Sequence, residues 1–381
     1  MLAVAVLLLT AIAVKIFRAN APKKADDLLE YFKKHPDRVS FCMAENDCPI
    51  IAYQADRKMP LASVLKIMVA IEYIRQVKSR QITPDQTVTL DQLDRYYIPY
   101  SDGGAHQHWL EGIHRRQPQP GQPKPGQTVT LAEVAKGMIE YSSNANTEYL
   151  MAVLGLEAIN RTVLQIGGAD HDPIFPISSA GLMGTYLMDT ESMTFREMIR
   201  RLERMSFDEY ASISKEILQK LSEDGRKAFI RRYGNRMSFH RELQLVSSRR
   251  MPAGTARLYA TLPARLRQLD WFDDDAWRQF RHLMQRPVRE GSPIAELLSK
   301  GGSSISICND VLYAKDREGN RLSIAMFIQE PSRKQLKRLQ RKTVPFVLKL
   351  LLDPDYRSRV ARELAGNGWA EPTIRKEEPR C

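Results

Sequence analysis

A serine and a lysine lie three positions apart in the segment Ser63-Val64-Leu65-Lys66. A serine hydroxyl is a poor nucleophile near neutral pH and needs a base within hydrogen-bond reach. A lysine amine can be that base where burial and neighbouring positive charge lower its pKa. On a helix the two side chains share a face, and the apolar residues that follow would remove Lys66 from water. The spacing therefore indicates a serine nucleophile, Ser63, activated by Lys66.

The same spacing recurs at Ser212-Ile213-Ser214-Lys215, so the order of further elements must distinguish the two copies. Ser63 is followed by Tyr141-Ser142-Ser143-Asn144 and then by Lys300-Gly301-Gly302-Ser303, at the entrance to a predicted strand. Ser212 lies in a charged stretch and has no such serine element between it and the lysine motif. We therefore expect Ser63, and not Ser212, to be the nucleophile.

These three elements, in this order, resemble the S-x-x-K, S-D-N and K-T-G motifs of the serine β-lactamases and penicillin-binding proteins. Within that superfamily the sequence is most similar to the class A β-lactamases. The resemblance extends to Thr130–Ser142, which is similar to the helix before the second motif, and to Met251–Leu258, which is similar to a later helix. It covers roughly Val39 to Leu352 and is interrupted by two segments.

The resemblance implies a role for each matched residue. Catalysis would rest on four side chains: Ser63 as the acylated nucleophile, Lys66 as its proton partner, Ser142 as the relay to the leaving group, and Lys300, which attracts the substrate carboxylate. Substrate would be bound by Asn144, Gly301, Gly302 and Ser303, with the backbone N–H groups of Ser63 and Ser303 as the oxyanion hole. The implied partner is a small β-lactam or a peptidoglycan stem peptide, with no metal, no cofactor and no nucleic acid.

The sequence departs from the class A pattern in deacylation and in carboxylate recognition. The family's E-P-x-L-N glutamate is missing, and the corresponding stretch Gly167–Ser178 offers only Asp170, His171 and Asp172. Gly301 also removes a hydroxyl, and no arginine lies between Ser303 and Tyr313. Three interpretations stay open: a class A β-lactamase-like hydrolase, a penicillin-binding D,D-peptidase, or a binding or sensor protein without turnover.

Each of these residues also has an ordinary structural explanation. Ser63 could cap a helix and Lys66 could extend its amine to water, while the two glycines after Lys300 could form a simple turn. Three histidines, His106, His108 and His114, lie in an irregular segment without acidic neighbours, which favours solvated side chains over metal ligands.

The elements that must position the motifs follow from periodicity. The pattern predicts an α/β (α+β) fold, with an antiparallel sheet of N- and C-terminal strands, flanking helices and a helical lobe. The expected helices are Ala25–Lys34, Ser63–Val77, Leu131–Met151, a charged helical insert Ser192–Gln244 and Arg333–Leu352; the expected strands are Val39–Met43, Ile50–Gln54, Ser304–Tyr313 and Leu322–Ile328. One hydrolase domain is expected over residues 25–352, with inserts at about 95–128, an irregular surface loop, and 190–248, before a tail at 353–381.

Composition and the N-terminus bear on location. The formal charge of +12 is spread along the chain without a nucleic-acid-binding motif, and suits an anionic envelope surface. Met1–Val14 is almost wholly apolar, and Ala19-Asn20-Ala21 resembles a signal-peptidase site. Residues 1–21 are therefore expected to be a signal peptide or membrane anchor, which would place the protein outside the cytoplasm, secreted or anchored. Cys42 and Cys48 could form a disulfide across a hairpin or be two buried thiols.

Overall fold

The computed structural model describes residues 25–99, 101–116, 126–223, 226–234 and 240–365. The expected leader at residues 1–21 and the Pro- and Gln-rich run at 117–125 lie outside the described residues.

The core of the fold is a five-stranded antiparallel sheet with the order β2-β1-β9-β8-β7. Its strands are β1 (Val39–Glu45), β2 (Cys48–Tyr53), β7 (Ile294–Ser303), β8 (Ile307–Asp316) and β9 (Arg321–Gln329). Asn46 and Asp47, both with positive φ, form the two-residue turn that joins β1 to β2, as a twisted hairpin requires. The central β9 is buried from Leu322 to Ile328, and Ser323 is the single polar residue in this stretch. The predicted sheet of N- and C-terminal strands is confirmed.

One face of the sheet is covered by helices from the two ends of the chain. These are the helix at residues 25–34 (α1), α17 (Arg333–Leu352) and α18 (Pro354–Ala365). Phe32, Phe41 and Phe346 pack with ring centroids 5.5 to 5.9 Å apart between them. The structure differs here from the expected tail at 353–381, because α18 buries Tyr356, Val360 and Leu364 against the same core.

The other face of the sheet packs on a helical lobe built around α2 (Lys66–Lys78), which is buried over most of its length and contacts α5, α6, α7 and α16. The other elements of this lobe are α3 (Leu90–Asp94), α4 (Ala105–Arg116), α5 (Leu131–Glu140), α6 (Asn144–Leu154), α7 (Leu156–Gly167), α14 (Ala256–Ala260), α15 (Leu262–Arg267) and α16 (Asp274–Met284), with the short strands β3 (Lys58–Pro60), β4 (Thr87–Thr89), β5 (Thr128–Thr130) and β6 (Ala253–Thr255).

The charged insert forms a smaller helical unit with its own apolar core, which includes Phe175, Met198, Leu202 and Tyr210. Its helices are α8 (Ile177–Ala180), α9 (Met183–Thr190), α10 (Phe195–Arg204), α11 (Phe207–Ser222), α12 (Arg226–Tyr233) and α13 (Arg241–Arg249). This unit begins before the expected boundary near residue 190, since residues from Phe175 onward belong to its core.

Several predicted boundaries are corrected by the structure. The segment 95–128, expected to be an irregular loop, contains helix α4, because Trp109 and Ile113 are buried in the main core. The single helix expected over Leu131–Met151 is two helices, α5 and α6, separated by Ser142 with φ 67°. Lys300 lies near the end of β7, a strand that the sequence pattern did not reveal, and not at the entrance to the next one.

The two N-terminal cysteines do not form a disulfide with each other. Cys42 is a buried thiol whose cross-strand neighbour is Ala52, whereas Cys48 lies opposite Glu45 at the hairpin end.

In the part of the chain that the structure describes, no single helix is long and apolar enough to cross a membrane. The helices Asn144–Leu154 and Leu156–Asp170 meet that criterion only as a pair, and the pair is bent by 93°.

Candidate active site

Ser63 lies in a short 3₁₀ turn, Ala62–Leu65, directly before α2. This turn is fixed to the sheet by the Asn309 amide, which donates to the carbonyls of Pro60 (2.8 Å) and Leu61 (3.2 Å). The sequence predicts Ser63 inside the first turn of the helix, and the structure places it just ahead of the α-helical residues. The nucleophile candidate is thus held between the sheet and the helical lobe.

Gly302 makes the close approach of β7 to this turn sterically feasible. A Cβ at position 302 would lie 2.5 Å from the Leu61 carbonyl oxygen and 3.1 Å from the Ser63 backbone nitrogen. A real Cβ cannot occupy that space, so only glycine allows the strand to lie against the nucleophile turn. The two glycines after Lys300 are part of the β7 strand and not a simple turn.

We expect Gly302→Ala to lower the free energy of unfolding by about 1 to 3 kcal/mol, the usual cost of overpacking, and to slow acylation of Ser63. The neighbouring Gly301→Ala is the matched control, because its Cβ would meet Asp310 Oδ1 at an ordinary 3.4 Å. Urea unfolding of both variants measures the difference. Equal unfolding midpoints would show that the turn can move away from β7.

Lys66 is fully buried as the first residue of α2. Its Nζ donates to the Ser142 carbonyl (2.6 Å), to Asn144 Oδ1 (2.7 Å) and to Ser142 Oγ (3.3 Å). Burial lowers the pKa of Lys66 to about 7, although the carboxylates of Asp102 and Glu148 oppose this shift. A neutral amine, able to act as a base, is therefore available near physiological pH.

The break between α5 and α6 presents Ser142 and Asn144 to Lys66. The middle residue of this element is Ser143, which caps α6 by accepting a hydrogen bond from the Asn146 N–H (3.3 Å). His106 is buried and its Nδ1 lies 2.9 Å from Ser143 Oγ, so it is a structural partner of the second motif and not a solvated loop residue as expected.

Lys300 completes a chain of polar groups. Its Nζ is buried and donates to Ser142 Oγ (2.9 Å) and to the Gly301 carbonyl (2.8 Å). Burial and the positive charges of Lys66 and Arg286 hold the pKa of Lys300 well below its usual range. The Ser142 hydroxyl is thus a bridge between two buried amines, a geometry suited to moving protons.

All eight residues singled out in the sequence converge on one place. A cavity of about 600 Å³ is lined by Ser63, Ser142, Asn144 and Ser303, with further walls from the insert and from the 98–105 segment. A crevice of about 370 Å³ beside it is lined by Ser63, Ser142, Lys300, Gly301, Gly302 and Ser303. Lys66 is not part of either lining, but its amine donates a hydrogen bond to Ser142 Oγ, and Ser142 lines both the cavity and the crevice. The cavity has the size of a small-molecule site.

The three polar residues that could replace the missing glutamate are engaged away from the cavity. Asp170 pairs with Arg265 (3.1 Å), and Asp172 pairs with Lys58 (2.6 Å). His171 is buried with Nε2 2.9 Å from the Tyr259 hydroxyl, and burial lowers its pKa to about 4. The expectation that one of them could approach the acyl-enzyme is not supported by their positions.

Two carboxylates that sequence analysis missed shape the site instead. Asp102 lines the cavity, and its oxygens accept hydrogen bonds from the N–H groups of Gly104, His106 and Asn144. Glu148 is fully buried and accepts from the N–H groups of Ser178 (2.8 Å) and Ser179 (2.9 Å). Burial raises the pKa of Glu148 to about 7. The available signal was that Glu148, four residues after Asn144, is the one charged residue of α6.

Comparisons with known proteins bear on the family and the fold. The model of the beta-lactamase enzyme family matches residues 23–344. Among solved structures, a mutant of PBP-A in an acyl-enzyme complex with penicillin G is similar at 13% identity, with a TM-score of 0.50 and coverage of 87% of this chain and 97% of that chain. A beta-lactamase from Sphaerobacter thermophilus is similar at 15% identity, with a TM-score of 0.50 and coverage of 87% and 98%.

These structural similarities, at such low identity, establish the fold alone. A comparison with curated proteins gives no significant match. The family match, however, spans most of the sequence and includes all three motif positions. The chain therefore belongs to the beta-lactamase enzyme family, within the superfamily of serine β-lactamases and penicillin-binding proteins.

Proposed function

We propose that the chain is a class A β-lactamase-like serine hydrolase that forms an acyl-enzyme at Ser63 with a β-lactam or a related amide or ester. The observation that carries the proposal is the Ser142 hydroxyl, which accepts hydrogen bonds from Lys66 (3.3 Å) and Lys300 (2.9 Å) at a cavity that Ser63 lines. Two buried amines on one hydroxyl are costly to maintain for stability alone, because both are desolvated.

The acylation step follows from this arrangement. Neutral Lys66 takes the proton of the Ser63 hydroxyl while the oxygen attacks the substrate carbonyl, and the backbone N–H groups of Ser63 and Ser303 bind the resulting oxyanion. When the C–N or C–O bond breaks, Ser142 donates its proton to the leaving atom and recovers one from the lysine ammonium. The products of this step are the Ser63 ester and the protonated leaving group.

The acylation rate should rise with pH through about 7, because only the neutral form of Lys66 accepts the serine proton. Below that pH the amine is an ammonium and each further unit should slow acylation about tenfold. Stopped-flow acylation by a chromogenic penicillin between pH 5.5 and 9 measures this profile. Glu148→Gln is the control for the second group that titrates near 7. A profile that is flat from pH 5.5 to 8 would contradict Lys66 as the base.

A second candidate, a penicillin-binding D,D-peptidase that stays acylated by penicillins, is favoured by the lining of the cavity. Among the described lining residues Asp102 is the one carboxylate, and backbone N–H groups occupy its oxygens. Peptidoglycan stem peptides would then be the substrates. Parallel assays with a penicillin and a D-alanyl-D-alanine peptide separate the two candidates.

An extracytoplasmic location would suit either candidate. It is supported by the apolar segment Met1–Val14 and by the formal charge of +12. Fractionation of cells that express the full chain would locate it.

A further inference from the structure

The crevice adjoins the cavity at the candidate nucleophile. It meets the cavity at Ser63, Ser142 and Ser303. Its charged lining residues are Lys300, Asp310, Glu140 and Arg286. Ser142 is the proton donor for the leaving atom in the proposed mechanism. In that mechanism the crevice can hold the group attached to the leaving atom, because Ser142 lines it.

Asp310 projects into the crevice directly across from Gly301. The two residues are partners in the β7–β8 ladder, and a Cβ at Gly301 would lie 3.4 Å from Asp310 Oδ1. The Asp310 side chain is half-buried, and among the described residues it has no hydrogen bond and no ion pair within 4.0 Å. Its carboxylate therefore offers a ligand free acceptor oxygens next to the nucleophile.

The cations around Asp310 are committed to other partners. The Arg286 guanidinium donates to the carbonyls of Ile139 (3.1 Å), Glu140 (3.1 Å) and Ser299 (3.2 Å) and to the Ser299 hydroxyl (3.2 Å). Lys300 donates to Ser142 Oγ and to the Gly301 carbonyl. Arg286 and Lys300 line the crevice together with the carboxylates of Glu140 and Asp310. A substrate carboxylate there would have to compete with these backbone carbonyls for the Arg286 guanidinium and would meet the negative charge of Asp310.

We propose that Asp310 selects substrates whose leaving group carries a hydrogen-bond donor, an ammonium or an amide, in place of a free carboxylate. The inference rests on the proposed acyl-enzyme function and names the substrate class of the same site. An ammonium in the crevice gains a charge-assisted hydrogen bond from Asp310, and an amide gains a neutral one. Gly301 also disfavours a carboxylate in the leaving group, because it lacks the hydroxyl that would donate a hydrogen bond to it.

Three esters with one acyl-D-alanyl group test the proposal: the glycolate ester (anionic leaving group), the glycolamide ester (neutral) and the ethanolamine ester (cationic). Assays at pH 8 keep Asp310 ionised, since burial raises its pKa only to about 6. We expect kcat/KM to follow the order cationic, neutral, anionic, with at least about tenfold between the extremes. Asp310→Asn should reduce that ratio to about threefold or less.

Asp274→Asn is the matched control, because it removes one exposed aspartate charge at the start of α16, outside the crevice lining, and should leave the ratio unchanged. A wild-type preference for the anionic ester, or equal rates for all three esters, would overturn the proposal. Because this ranking is measured on the wild-type protein, it tests the proposal even if the Asp310 variant does not fold. An unchanged ratio in a folded Asp310→Asn protein would also overturn it.

Failure of the proposed function gives a different result. In that case no ester of the series would form an acyl-enzyme at Ser63, as judged by intact mass and by comparison with Ser63→Ala, and both proposals would fall. Acylation of Ser63 by the neutral ester without a charge ranking would overturn the role of Asp310 alone.

Discussion

Ser63→Ala should lose covalent labelling by a fluorescent penicillin and should lower the hydrolytic rate by about 10⁴-fold or more, as removal of a nucleophile does in other serine hydrolases. The reason is that Ser63 lines the same cavity as Ser142, whose hydroxyl accepts hydrogen bonds from both Lys66 and Lys300. Labelling followed by intact-mass spectrometry measures the effect. Of the substitutions proposed for this protein, Ser63→Ala should have the largest effect on the hydrolytic rate.

Ser212→Ala is the matched control, since Ser212 and Lys215 have the same spacing. Both side chains are exposed on α11, so the amine of Lys215 stays in water, whereas the amine of Lys66 is buried. We expect this variant to label like the wild type. Labelling that persists in Ser63→Ala and disappears in Ser212→Ala would reverse the assignment.

Hydrolysis of penicillins should show a burst of one equivalent per enzyme followed by a slow steady state. Deacylation needs a water that is held and deprotonated, and a general base contributes about 10²- to 10⁴-fold to such a step. Among the described residues that line the cavity, Asp102 alone is a carboxylate, and it is occupied by three N–H donors. Stopped-flow absorbance with parallel mass spectrometry would record both the burst and the persistent acyl-enzyme.

The steady-state rate should not change in Asp170→Asn or Asp172→Asn, since these carboxylates pair with Arg265 and Lys58 away from the cavity. Rapid hydrolysis without a burst in the wild type would refute the argument. It would assign the second proton transfer to another group, for which Lys66 and the crevice carboxylate Asp310 are candidates.

The sequence alone determined the fold class and the motifs to which we assign catalysis. Motifs with fixed local spacing, such as Ser63 with Lys66, can be read directly, because a helix places residues three apart on one face. Their order along the chain separated Ser63 from Ser212. The strands of β1, β2, β8 and β9 were recognisable from their apolar pattern, although Lys300 was assigned to the wrong end of a strand.

Tertiary structure decided what depends on contacts between distant segments. Helices α4 and α18, each of which buries one face, lie in segments whose prolines and charges favour a loop or a tail, and packing overrides those local preferences. The buried carboxylate of Glu148 is held by the N–H groups of Ser178 and Ser179, which lie 30 and 31 residues further along the chain. Asp310 faces Gly301 only because β7 and β8 pair in one register, and a shift of one residue would turn that carboxylate to the other face of the sheet.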